Sequence, residues 1–214
     1  MQSIEEFDLD KMVEKAHVNL NDSYLHYTQP PTRLAKEFVE IKLQVCIFQY
    51  DVTVEMAGLL RNKPTGFAAS VALEGLVLRL FEFESTLGGT VLPRLLALAD
   101  ARDIEIESGA VQDLKRKWKE EFRTLKSWHH VRNQAAGHYG RDLRKQVEAL
   151  EPLTVDAVMG VAVGFLHFAQ SLFRIMRDAG QGVVSDDRPL ERVHKQKCEG
   201  NIESQAEISQ LTRA

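Results

Sequence analysis

The stretch Trp128-His129-His130-Val131-Arg132-Asn133-Gln134-Ala135-Ala136-Gly137-His138-Tyr139 concentrates side chains able to do chemistry. A guanidinium grips an anion through its planar fork, and an imidazole, with an ordinary pKa of about 6.5, gives or takes a proton near neutral pH. Because an α-helix advances about 100° per residue, the residues Val111, Leu114, Trp118, Phe122 and Leu125 form one apolar stripe. His129, Arg132 and Asn133 fall on that same side of the wheel, so polar residues are expected on the packing face. A charge buried there without a partner costs several kcal/mol. The pattern therefore implies either a buried ion pair or a cleft holding an anionic ligand. Gly137 lets the backbone leave the helix just before His138, which would bring that imidazole toward Arg132.

Other familiar devices are missing from the sequence: it has no Gly-rich phosphate loop, CxxC pair, HExxH or GxSxG nucleophile elbow. Two ExxH strings, Glu14 to His17 and Glu191 to His194, have the spacing used by carboxylate-bridged di-iron bundles. The second falls in a polar tail, so surface pairs are the expectation and no metal site is assigned. His26 and His167 stand alone and are expected to be hydrogen-bonded structural histidines.

Arg132-Asn133 followed by His138 resembles the signature of the HEPN superfamily, in which an Arg, commonly followed by Asn, precedes a His by four to six residues. The same spacing recurs from Arg123 to His129 and from Arg188 to His194. Arg132 and His138 are singled out by Asn133, by the small run Ala135-Ala136-Gly137 and by the apolar helix that follows. The flanks are similar to the abortive-infection branch: an apolar helix ending in Arg79-Leu80, a linker, then a long charged helix. Gln134 stands where that branch often has Lys, and Gly137 where Ala is usual. The resemblance covers about residues 45–176.

HEPN domains are all-helical, and many are metal-independent ribonucleases of toxin, abortive-infection and RNA-processing systems. The resemblance implies attack of a ribose 2′-hydroxyl on its own 3′-phosphate, with Arg132 and His138 in the catalytic site and Asn133 holding its geometry. One His does not easily serve as both base and acid, so a homodimer that joins two copies of the pair in one cleft is expected. Single-stranded RNA is the expected partner, with an antitoxin or regulatory protein as a further one and no cofactor. Lys115, Arg116, Lys117 and Lys119 would steer RNA, with His129 and Tyr139 beside it. The rival expectation is a non-catalytic helical dimerisation or interaction module.

The elements that must position these groups read as helices throughout. Ser3 with Glu6 matches a capping box that opens a helix over residues 4–28, and apolar residues at steps of three and four mark helices over residues 33–59, 69–87 and 111–137, and a last one from Val155 to Met176 capped by Thr154. Pro30-Pro31, the turn at residues 62–66, Gly88-Gly89 and Ser108-Gly109 are expected to separate them, with Thr90 capping a short helix that carries Leu95, Leu96 and Leu98. Residues 139–152 are ambiguous between loop and short helix. No period-two alternation favours a sheet. The expected fold is all-α, an up-and-down bundle of about five to six helices in one domain, residues 1–178, followed by a mobile or partner-dependent tail, residues 179–214.

A chain of 214 residues, 44% hydrophobic and 27% charged, buries a sizeable core and excludes disordered, collagen-like and disulfide-scaffold classes. The formal charge is −4, yet residues 115–145 hold ten basic side chains against three acidic ones. Such a basic strip in an acidic chain fits a face that meets a polyanion, or a solvated helix face of paired charges. The opening Met1-Gln2-Ser3-Ile4-Glu5-Glu6 lacks the character of a signal peptide. The 17 residues 157–173 are apolar but short for the ~20 of a bilayer span, so a core helix is expected and no membrane. Cys46 and Cys198, the two cysteines, are expected to stay reduced, which favours the cytoplasm.

Overall fold

The computed structural model describes residues 8–29, 33–101, 106, 108–135 and 142–184. Among these residues every regular element is helical. In order they are α1 (Leu9–Thr28), α2 (Arg33–Asn62), α3 (Phe67–Thr86), a π-helical turn (Leu87–Val91), α4 (Leu92–Ala101), α5 (Ser108–Lys117), α6 (Lys119–Ser127), α7 (His129–Ala135), α8 (Leu143–Leu150) and α9 (Val155–Val184). The expected capping box at Ser3 and Glu6 lies outside the described residues, and Asp8 caps α1 by accepting from the Lys11 backbone N–H at 3.2 Å. Helix α9 continues to Val184, into the stretch expected as a tail from residue 179, and residues 185–214 lie outside the described residues.

The stripes of the sequence become the core. Ile41, Val45, Phe48, Val52, Met56 and Leu59 of α2 are all buried, as are Leu73, Leu76, Val77, Leu80, Phe81 and Phe83 of α3. Helix α9 is central and packs on α2, α3, α5 and α6. Its residues Val158, Ala162, Phe165, Phe168 and Leu172 lie at the heart of the hydrophobic cluster. Phe48 and Phe83 stack face to face with ring centroids 3.5 Å apart, and Phe165 meets both edge-on, the T-shaped contact that aromatic quadrupoles favour. Residues 155–177 of α9 are, among the described residues, the one stretch long and apolar enough to cross a membrane, and 56% of its most apolar window is buried inside the fold. The Thr154 hydroxyl accepts from the Ala157 N–H at 3.4 Å, the expected cap of this helix. On the outer side, α1 lies along α2, tied by Arg61 to Asp10 and by the Ser23 hydroxyl to the Cys46 thiol at 3.2 Å. Burial pushes the Cys46 thiol up, against the opposing pull of the Ser23 hydrogen bond.

Two expectations about helix breaks are corrected. Gly88-Gly89 does not end α3: the chain continues through the π-helical turn into α4, where the Leu92 N–H reaches back to the Leu87 carbonyl. Pro93 supplies the reason, because it has no N–H for the carbonyl four residues back and its ring would crowd it. Widening the turn by one residue relieves that conflict and keeps Leu87, Val91, Leu92 and Leu95 buried. Thr90 is therefore exposed inside the turn and does not cap α4. The second correction concerns the long helix expected over residues 111–137, which is divided into α5, α6 and α7 by single-residue turns at Trp118 and Trp128.

Helix α6 meets α9 closely at Gly164, where a methyl group would stand 2.5 Å from Cγ of Glu121. Gly164→Ala is therefore expected to cost about 1–3 kcal/mol through overpacking. In a Glu121→Ala background the same change becomes neutral or stabilising, because alanine then contributes its advantage of about 1 kcal/mol over glycine in a helix. Urea unfolding of the four proteins measures this coupling, and a loss at Gly164→Ala that is equal in both backgrounds would contradict the packing described.

Candidate nucleic-acid interface

The turn at Trp128 decides which way the candidate site faces. The Trp128 N–H bonds to the Leu125 carbonyl and the Val131 N–H to the Trp128 carbonyl, each at 2.9 Å and each reaching back only three residues. Such tight turns advance about 120° per residue, so residues three apart come back into line. Leu125, Trp128 and Val131 are accordingly all buried. His129, Arg132 and Asn133 rotate outward and are exposed. The expectation that they occupy the packing face is thereby overturned, because a straight wheel carried through residue 128 misses the phase shift.

What results is an exposed face of α7 on which His129, Arg132 and Asn133 stand at positions i, i+3 and i+4, neighbours on a helix surface. The Arg132 guanidinium carbon lies 6.0 Å from the centroid of the Phe81 ring on α3. An arginine held over an aromatic face keeps its N–H edges free for an anion, and the contact itself is worth roughly 0.5–1 kcal/mol at such an exposed position. Arg132 has no carboxylate partner among the described residues. His129 is exposed, and its Nδ1 lies 3.3 Å from the Lys126 carbonyl oxygen. His138 and Tyr139, with the hinge Gly137, lie outside the described residues.

The basic strip is mixed in character. Arg116 pairs with Asp113, Arg123 with Glu120, Lys126 with Glu84, Arg144 with Glu148 and Lys145 with Asp142. Hydrogen bonds from the Lys145 backbone and ammonium hold the Asp142 carboxyl below the usual carboxylate range, in keeping with its place as the cap of α8. Lys115, Lys117, Lys119 and Arg132 are exposed without an acidic partner among the described residues, Lys117 lying over the Trp118 ring at 5.2 Å. Within the strip, and among the described residues, these four side chains, spread over α5, α6 and α7, are cations available to a phosphate backbone.

Arg79, part of the flanking pattern, serves a different purpose. It bonds Glu55 at 3.0 Å and Asp51 at 3.2 Å, clamping α3 to α2 beside a groove of about 200 Å³. Glu14 and His17 are both exposed on α1, while Glu191 and His194 lie outside the described residues. Among the described residues no three His, Cys, Asp or Glu side chains gather as a metal site would need. His167 is half-buried against Trp118, with ring centroids 5.8 Å apart.

Two buried residues that shape the candidate face are not singled out by the sequence. Phe81 falls on the apolar side of its helix, and nothing local ties it to a residue about fifty positions later. Trp128 counted as part of the polar string, although tryptophans ten residues apart, at Trp118 and Trp128, coincide with both breaks in the helix. No family model, curated protein or solved structure matches the chain.

Proposed function

We propose that this chain is a HEPN-like RNA-binding protein that cuts single-stranded RNA by 2′-hydroxyl transesterification without a metal, as part of a toxin or abortive-infection type of defence acting in the cytoplasm. The observation that carries this reading is Arg132, an exposed guanidinium over the Phe81 ring at 6.0 Å with no carboxylate partner among the described residues. A structural arginine would be expected to meet an internal carboxylate, as Arg79 does. In the proposed site Arg132 holds phosphate oxygens and offsets the charge of the phosphorane, Asn133 keeps the geometry, and His138 exchanges protons with the reacting oxygens. The proposal takes the fold as an up-and-down bundle whose two-fold dimer brings two such sites together, so light scattering should find a dimer at micromolar concentration. A regulatory or antitoxin protein would cover the same face.

The alternative, a non-catalytic helical interaction module, draws support from the five ion-paired basic residues of the strip, which leave a smaller cationic footprint than the sequence suggests. Salt dependence of binding tests the footprint directly. Each phosphate neutralised on a single strand contributes a slope of about −0.7, so the four unpaired cations predict a slope of log affinity against log salt of about −3. Arg132→Ala should lower the slope to about −2 and weaken binding of a mixed-sequence RNA oligonucleotide by roughly 10- to 100-fold, the range for losing charge-assisted hydrogen bonds. Unchanged affinity and slope in Arg132→Ala would remove Arg132 from the interface.

A further inference from the structure

We propose that His129 is the base that takes the proton of the attacking 2′-hydroxyl, one helical turn from Arg132; the inference rests on the ribonuclease function proposed above and adds to it a residue of this same chain. A carbonyl oxygen only accepts hydrogen bonds, so the His129 Nδ1 that lies 3.3 Å from the Lys126 carbonyl carries the ring proton and donates it there. The lone pair of the neutral ring is then on Nε2, the nitrogen a base uses. The hydrogen bond also fixes the ring, and the half-buried His130 backs it edge-on at 5.8 Å between centroids. His129 is exposed and stands at i relative to Arg132 at i+3, so both side chains reach one phosphodiester from the same face. His130 does not qualify, because residues two apart on a helix do not face each other.

In the step, Nε2 of His129 accepts the 2′-hydroxyl proton as the 2′-oxygen forms its bond to phosphorus. The bond from phosphorus to the 5′-oxygen breaks, its electron pair stays on that oxygen, and a proton from a second acid or from water completes the 5′-hydroxyl. The other product is a 2′,3′-cyclic phosphate, and nothing is oxidised or reduced. A base within the same chain makes the partner copy dispensable for this half of the reaction.

The test compares wild type with His129→Asn, whose amide N–H still serves the Lys126 carbonyl but which has no basic nitrogen. Single-turnover cleavage is measured on a single-stranded RNA and on the same RNA with sulfur replacing the 5′-bridging oxygen at the mapped cleavage position. At saturating RNA, His129→Asn is expected to slow cleavage by about 100-fold or more on both substrates. A thiolate leaves without a proton, so a defect that disappears on the sulfur substrate would make His129 an acid and overturn the assignment. A His129→Asn protein as fast as wild type would overturn it while leaving the ribonuclease function standing. Wild type that cuts neither RNA would overturn both.

Discussion

Phe165→Ala lowers the free energy of unfolding by about 3–5 kcal/mol, the range for removing a buried phenylalanine from a core. Phe165 is 1% exposed and meets Phe48 of α2, Phe83 of α3 and Phe122 of α6. Truncation removes the contacts that join three helices to α9 at once, and the stacked Phe48 and Phe83 rings cannot follow into the space without breaking their own contact. Domains of this size are commonly stable by only 5–15 kcal/mol, so the loss is a large share of the whole. Phe67→Ala, at a 47% exposed side chain, should change stability by about 0.5 kcal/mol or less. Urea denaturation of the two variants gives the comparison, and similar midpoints for both would mean that Phe165 is not the keystone described here.

The second large effect is catalytic. His138→Ala should slow RNA cleavage by about 100- to 10,000-fold, the usual contribution of a positioned acid or base, with an unfolding midpoint equal to that of wild type. Arg132→Ala should lose turnover and RNA affinity together, because in the proposed site the same guanidinium binds the ground-state phosphate and the phosphorane. The distinction is read from kcat and KM: His138→Ala changes kcat alone, whereas Arg132→Ala changes both. A His138→Ala protein that cuts at the wild-type rate would remove His138 from the site.

The helical class and its core were legible because burial repeats at steps of three and four. The α2 stripe from Ile41 to Leu59 and the α9 residues Val158, Ala162, Phe165, Ala169 and Leu172 are buried where that spacing puts them. Legibility failed wherever the helical phase shifts. Gly88-Gly89 has the composition of a stop, yet Pro93 turns the same residues into a π-helical turn that carries the chain onward. The two tryptophans at the joints of α5, α6 and α7 look like ordinary members of a stripe, and a single wheel drawn across them places Arg132 on the wrong side. The contact of the Arg132 guanidinium with the Phe81 ring joins α7 to α3 and has no local signature. The neighbourhood of His129, Arg132 and Asn133 was in the sequence as a spacing, but its exposure depends on the turn at Trp128.

Under the proposed function the chain cuts RNA with histidine and arginine side chains and without a metal. The most direct measurement is analysis of the products formed from a single-stranded RNA panel by purified wild-type protein in excess chelator. Fragments ending in a 2′,3′-cyclic phosphate, paired with fragments beginning in a 5′-hydroxyl and missing from an Arg132→Ala control, are the predicted result. Intact RNA throughout the panel, or fragments bearing a 5′-phosphate and a 3′-hydroxyl, would contradict it.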